Sequence, residues 1–454
     1  MEASHGSGEA VFRITKSKPV LVSPTMNTYD GLYYLSPVDE FLIPTAMNML
    51  LRFERDDDDH GMRRTEINIC ETIKQALAKV LVHYYPFAGR VVMGPDGNIM
   101  VKCTGEGVSF VEAVANCELC EFGDFTIPDP PKHRQLVHAW NEYPKNPLDK
   151  PPLVVQVTRF QCGGFVVGLL VNHCMCDGAS MREFMKSWGE IARGLPLSVV
   201  PFLDRSILKP KPKQPFKIED NPEIISPVVP LNEQSVFKSF CFDLQKLMQL
   251  KKIAAMEDET IKGTTTATDF QLIMAFIWRA RTKALKMNPS DQSKLFIVLD
   301  GRHRFGPSFP KGYFGNALFL AHCECSAGEL IERPLWFAVD LMKRALELNF
   351  IQSLDDYLEN VQSCLDTVKA STTELLLDTA FIGNKWSTFL SNDIDFGCGV
   401  LTQIGAPIPQ KDLVLVNSHI KGSKNKILTL GLTPSNMKAF EEIMQSEMRI
   451  QASI

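Results

Sequence analysis

The sequence predicts an α/β protein of two domains, each a mixed sheet with helices, and three observations predict it. The chain of 454 residues exceeds what one ordinary core organises. Apolar runs of strand length and helical periodicities occur in both halves. Between the halves lies Pro196–Pro230, in which Lys209-Pro210-Lys211-Pro212-Lys213-Gln214-Pro215 is unsuited to helix or sheet interiors and reads as a stiff, extended linker. The expected boundaries are 1–195 for the first domain, 196–230 for the linker and 231–454 for the second domain.

The elements follow in chain order. Val11–Ser17 alternates as a first strand, and Lys18–Pro24 continues extended chain. Leu35-Ser36-Pro37-Val38-Asp39 reads as a turn into the next element. The four aspartates that follow Arg55 lack the glycine and glutamate spacing of a calcium loop and read as solvated chain. Asn68–Tyr84 is helical: Ile73, Leu77, Val80 and Tyr84 recur at helical spacing, and Asn68 with Glu71 resembles a capping box. Pro86 ends it, and Gly89–Cys103 reads as a hairpin across Pro95-Asp96-Gly97-Asn98. Leu153–Phe160 and Gly164–Val171 form a strand pair across Gln161-Cys162-Gly163. Ala179–Leu195 is an amphipathic helix with Met181, Phe184, Met185, Trp188, Ile191 and Ala192 on one face. Beyond the linker, strands are expected at Val236–Asp243, Leu295–Asp300, Leu413–Ile420 and Ile427–Leu432. Helices are expected at Leu244–Met256, Thr268–Leu285, Leu335–Leu348, Leu354–Val368 and Ser435–Met448.

Composition narrows the function classes. Hydrophobic content of 45% and charged content of 22% belong to a globular chain, and a net charge of -5 argues against a general nucleic-acid or anionic-membrane binder. The N-terminal stretch has no basic and apolar leader pattern, the longest apolar run is short of a membrane span, and no Asn-x-Ser/Thr sequon without proline occurs; a cytosolic location is expected. The 12 cysteines are scattered: Cys117-x-x-Cys120 has no second pair to complete a zinc site, so reduced thiols and no metal are expected.

The stretch Phe165–Val171 ends in Asn172-His173-Cys174-Met175-Cys176-Asp177-Gly178. A buried strand delivers His173 to a fixed place at the sheet edge, and Gly178 lets the chain turn into the amphipathic helix. A histidine held between rigid elements suits a general base. The same residues also suit a hydrogen-bonded core histidine, with Asp177 as a helix N-cap.

Four further segments join this one: Tyr84-Tyr85-Pro86-Phe87-Ala88-Gly89-Arg90, Asp300-Gly301-Arg302, Gly312-Tyr313-Phe314-Gly315-Asn316 and Asp395-Phe396-Gly397-Cys398-Gly399. In this order they resemble the plant BAHD acyltransferases, which move acyl groups from acyl-CoA to alcohols or amines. The resemblance runs from about Val11 to the C-terminal helix. Leu21-Val22-Ser23-Pro24, Ser187–Pro196 and Trp278–Leu285 are similar to members that place hydroxycinnamoyl groups on ω-hydroxy fatty acids and fatty alcohols.

The resemblance implies a chloramphenicol acetyltransferase-like fold: two α/β domains, a crossover loop, a solvent channel between them, and a segment at about 375–399 crossing back to complete the first sheet. It implies His173 as the general base, abstracting the acceptor's proton as its oxygen attacks the thioester, without an acyl-enzyme. It gives Asp177 a structural role paired with Arg302, beside Gly178. Trp386 is a candidate oxyanion donor or a packing residue, and Asn384 stands near the acceptor where many members carry threonine. Asp395, Phe396, Gly397 and Gly399 shape the CoA channel; Cys398 replaces the family's common tryptophan, and Val400-Leu401 stands where Lys-Pro is frequent. Thr264, Thr265, Arg304, Lys311, Tyr313, Gly315 and Asn316 are candidate CoA or channel contacts. No permanently bound cofactor is implied. The implied partners are acyl-CoA as co-substrate and a small alcohol or amine acceptor, acted on by a monomer. The alternatives are N-acylation by the same mechanism and a catalytically weakened CoA- or metabolite-binding relative; a hydrolase finds no GxSxG elbow to support it.

Overall fold

A computed structural model of the chain describes residues 12–43, 45–55, 68–138, 150–209, 235–256, 267–302, 309–347, 356, 359, 379–385, 393–407, 413–418 and 423–449. The first domain's sheet contains β1 (Ile14–Lys16), β2 (Val20–Val22), β4 (Ala46–Glu54), β7 (Val108–Ala115), β8 (Leu153–Arg159), β9 (Phe165–Asn172) and β14 (Val400–Gly405). Their order is β1-β7-β8-β9-β4-β14, with β2 also on β7; among the described residues β7 and β8 are parallel neighbours and the other pairs of this sheet are antiparallel. A small sheet of β3 (Leu32–Tyr34), β5 (Arg90–Met93) and β6 (Ile99–Lys102) stands beside it. The second domain's sheet has the order β10-β16-β15-β13-β11-β12. Its strands are β10 (Val236–Phe242), β11 (Gln292–Asp300), β12 (Leu318–Ser326), β13 (Ala380–Lys385), β15 (Leu413–Ser418) and β16 (Lys426–Leu432).

Strand β9 is buried along its whole length, and its alternation divides two cores. Phe165, Val167, Leu169 and Val171 face the larger core, which they share with Ile73, Leu77 and Val80 of the helix Ile69–Val80 and with Met181, Phe184, Met185 and Trp188 of the helix Gly178–Ala192. Val166 and Leu170 face a smaller core with Phe122, Phe125 and Leu136. Gly168 lies between them because the chain at Leu136 passes directly over it: a Cβ there would lie 2.0 Å from the Leu136 carbonyl oxygen. Polar anchors fix the helix pair. The Trp188 indole donates to the Ile73 carbonyl at 2.9 Å, and the Tyr84 hydroxyl pairs with Ser187 Oγ at 2.9 Å. In the second domain Ile273, Met274, Ile277 and Trp278 of the helix Asp269–Ala284 are fully buried against the sheet, with the Trp278 indole donating to Ser293 Oγ at 2.8 Å.

Several expectations change. The Leu35–Asp39 turn is the start of a helix, Pro37–Phe41, capped by Ser36. The returning strand lies at 400–405, beyond the expected 375–399 crossing segment; Ala380–Lys385 pairs with β11 and β15 in the second sheet. Gln403 anchors the return where it docks: its amide donates to Asp124 Oδ1 at 2.9 Å and its oxygen accepts from Arg52 at 3.3 Å. The linker does not begin as free chain at 196, because Phe202 pairs with Tyr313 and Arg205 is buried. Residues 210–230 of the linker and the expected helix 354–368 lie outside the described residues, apart from 356 and 359.

Candidate active site

The site is a corner where β9 meets the helix that follows it. His173 N donates to the Thr45 carbonyl at 2.9 Å, continuing the ladder one residue past the strand. Asn172 then turns the chain: its side chain accepts from Cys174 N at 3.1 Å and its carbonyl from Met175 N at 3.0 Å. Asp177 caps the helix Gly178–Ala192, accepting from Ser180 N at 2.9 Å, and Gly178 is the first helical residue.

Asp177 is wholly committed away from the imidazole. Arg302 donates to both of its oxygens, at 2.8 and 2.9 Å, and Ala317 N donates at 2.9 Å. Burial alone would raise the Asp177 carboxyl; the Arg302 charge and these hydrogen bonds reverse that and hold it below the usual carboxylate range. Arg302 leaves the end of β11 and also reaches Asp300, Ser180 Oγ and the Gly315 carbonyl, so the pair ties the second sheet to the His173 corner. Its guanidinium lies 5.6 Å from the centre of the Tyr313 ring.

His173 is half-buried, and its Nδ1 is buried with no hydrogen-bond partner of ordinary geometry among the described residues. Burial pushes its pKa below the usual histidine value, opposed by its own carbonyl, Asp177, Asn316 and Asp39. At neutral pH the ring is therefore uncharged, the form that accepts a proton. The flanking thiols do the reverse: burial pushes Cys174 and Cys176 far above the ordinary thiol range, leaving no thiolate nucleophile.

The Gly312–Asn316 segment packs against this corner. Asn316 Nδ2 donates to the His173 carbonyl and to Asp39 Oδ1, both at 2.8 Å, and Gly315 N donates to Ser180 Oγ at 3.0 Å. Tyr313 is buried and Lys311 is exposed. Asn384, half-buried on β13, stands opposite Leu415. Trp386, Thr264, Thr265 and Arg304 lie outside the described residues.

Asp395, Phe396, Gly397 and Gly399 do not meet the base. The segment lies on the far end of the helix Gly178–Ala192: a Cβ on Gly189 would lie 2.4 Å from the Asp395 carbonyl oxygen, and Arg193 pairs with Asp395 at 3.1 Å. Eleven residue steps along the helix lead from Gly178 to Gly189, roughly 16 Å at 1.5 Å each. Phe396 is buried edge-on against Phe53 and Trp188, and Gly397 and Gly399 have positive φ values of 75° and 154°. Cys398 packs partly buried against the larger core.

Sequence reasoning missed Asp39 and Arg205. These form a second ion pair, 3.0 Å between Nη1 and Oδ2, with both side chains fully buried. The signal was Asp204-Arg205 set among Phe202, Leu203, Ile207 and Leu208: charge inside an apolar stretch that should otherwise have been solvated linker.

A family model described as the Transferase family matches residues 12–447. The chain belongs to this family, the BAHD acyltransferases. Among its relatives, omega-hydroxypalmitate O-feruloyl transferase of Arabidopsis thaliana is 41% identical over 438 residues, covering 94% of this chain and 92% of the relative. Fatty alcohol:caffeoyl-CoA acyltransferase from the same plant is 40% identical, covering 95% and 98%. The benzyl alcohol O-benzoyltransferase of Petunia hybrida is 31% identical over 87% and 84%. The crystal structure of vinorine synthase superposes with a TM-score of 0.75 at 22% identity, covering 95% of this chain and 98% of that one. F. graminearum TRI101 complexed with coenzyme A and T-2 mycotoxin gives a TM-score of 0.67 at 14% identity, covering 91% and 98%. These two share the fold, and the chain is an acyltransferase by membership of the family. Among the described residues no helix is long and apolar enough to cross a membrane.

Proposed function

We propose that the protein transfers a hydroxycinnamoyl or benzoyl group from acyl-CoA to the hydroxyl of an aliphatic alcohol or specialised metabolite. It acts as a cytosolic monomer with His173 as the general base. The observation that carries the mechanism is the commitment of Asp177 to Arg302, Ser180 and Ala317. A carboxylate so engaged does not orient the ring as in a Ser-His-Asp triad, and the buried thiols beside it are protonated. The base then works alone. His173 takes the acceptor's proton as the acceptor oxygen adds to the thioester carbonyl. The resulting tetrahedral intermediate collapses by breaking the carbon–sulfur bond, and the proton passes to the CoA thiolate. An ester and free CoA leave, with no acyl-enzyme. The Arabidopsis relatives named above support an ω-hydroxy fatty acid or fatty alcohol as acceptor and feruloyl or caffeoyl as acyl group. Trp386 is proposed as a donor to the developing oxyanion and Asn384 as an acceptor contact. Thr264, Thr265 and Arg304 are proposed along the CoA channel, with Asp395–Gly399 shaping its wall; Tyr313, Gly315 and Asn316, buried in the His173 corner, are proposed to support the channel rather than to contact CoA.

The test is mass spectrometry of products from feruloyl-, caffeoyl-, benzoyl- and acetyl-CoA offered with ω-hydroxy acids, fatty alcohols, benzyl alcohol and polyamines. The expected result is a hydroxycinnamoyl ester made by the wild type and reduced at least about a hundredfold in His173→Ala. An amide from a polyamine, or full activity in His173→Ala, would replace this reading.

A further inference from the structure

We propose that Arg205 is a positioning residue for the transfer: from the segment joining the two domains it holds the turn Cys174–Cys176, and through that turn the place of the His173 ring. The inference rests on the reading of His173 as the base. Every nitrogen of the guanidinium is used. Nη1 donates to the Cys174 carbonyl at 3.0 Å and pairs with Asp39, Nη2 donates to the Met175 carbonyl, and Nε donates to the Phe314 carbonyl at 3.2 Å. The group lies over Tyr33 at 5.1 Å and Phe314 at 6.0 Å, and no part of the side chain reaches solvent. Gly315 makes room for it, since a Cβ there would lie 2.9 Å from Arg205 Nε.

The carbonyls it holds are the first two after His173. A backbone carbonyl has no ladder or helix partner to turn it inward here, because the strand has ended and the helix has not begun. Arg205 supplies the donors that keep the backbone folded under the ring. Asp39, its counter-ion, also accepts from Asn316 N and Nδ2, and the same Asn316 amide donates to the His173 carbonyl. The three carbonyls flanking the base, those of residues 173, 174 and 175, are therefore held by one network centred on the Arg205–Asp39 pair. A planar guanidinium is needed, because an ammonium has three N–H donors on a single atom and cannot span three separated carbonyls and Asp39 together.

The decisive variant is Arg205→Lys, which keeps the buried charge opposite Asp39. The expected result is a kcat lowered roughly tenfold to a hundredfold at nearly unchanged KM for acyl-CoA, as a misplaced base requires. The acid limb of kcat/KM should rise towards the ordinary histidine value as the ring loses its cover. Hydrogen exchange at the amides of residues 174–177, which needs no substrate, should quicken relative to the strand before them. A merely structural role would lower the melting temperature and leave all three readings of the folded enzyme unchanged, and that result overturns the proposal. Should Arg205→Lys not fold, the double variant Arg205→Gln/Asp39→Asn, which removes both charges together, is read in the same way. Failure of the functional reading is distinguishable: no ester forms with the wild type, while the exchange measurement still decides whether Arg205 holds the turn.

Discussion

Arg302 and Arg205 grip the same corner from two sides, and they do it with different chemistry. Arg302 directs its fork chiefly at carboxylates, donating to both oxygens of Asp177 and to Asp300 Oδ1, and keeps 13% of its side chain exposed. Arg205 is fully buried, touches Asp39 through a single nitrogen, and directs its other contacts to backbone carbonyls. The first pair fixes where the helix starts relative to the second sheet; the second fixes the turn between the base and that helix. A bidentate ion pair is a joint between elements, whereas an arginine on carbonyls shapes a loop. This corner uses one of each.

The comparison breaks most visibly at Asp177. Asp177→Ala leaves the largely buried Arg302 guanidinium with Asp300 as its remaining counter-ion and removes a helix cap, so a loss of about 3 kcal/mol in chemical denaturation is expected, with activity lost alongside folding. Asp177→Asn keeps an oxygen for the cap and should retain a large part of the fold. A triad role would instead show as a collapse of kcat in folded Asp177→Asn enzyme. Next comes Gly315→Ala, whose new methyl meets Arg205 Nε at 2.9 Å and the Tyr313 hydroxyl at 2.8 Å; about 1–3 kcal/mol of destabilisation is expected in thermal unfolding.

Acid should act on the Asp177 joint in a defined window. The Asp177 carboxyl is held below its unfolded value of about 3.9. Its contribution to stability is therefore complete above that pH and is lost as pH falls through the lower folded value. Denaturation midpoints measured between pH 7 and pH 3 should fall more steeply at the acid end in the wild type than in Asp177→Asn. The smallest effect is expected at the far end of the helix, where Arg193 and Asp395 pair at 31% and 38% exposure: Arg193→Ala should change stability by less than about 1 kcal/mol.

The legible parts of the molecule were those whose signals are local. The helices Ile69–Val80, Gly178–Ala192 and Asp269–Ala284 announced themselves by spacing and caps, and β9 by its unbroken apolar run. The strand beside it, β4, did not: Ala46-Met47-Asn48-Met49-Leu50-Leu51-Arg52-Phe53-Glu54 has no β-branched residue and takes its conformation from pairing with β9 on one side and β14 on the other. Strand β14 joins its sheet from more than 340 positions away in the chain, between Leu50 and Gly405, and no local pattern carries that information. The pairing of Asp177 with Arg302 could be named because both lie in motifs, while Arg205 lay in a stretch that the prolines and lysines after it marked as extended linker. Its role is visible only when the carbonyls it serves are brought within reach.

The most direct test of the account is the pH dependence of kcat/KM for ester formation. A neutral His173, lowered by burial, predicts a single acid limb below the ordinary histidine value of about 6.5, with activity falling as the ring takes up a proton. A limb at or above that value would contradict the buried, uncharged base. So would the same limb persisting in the residual activity of His173→Ala.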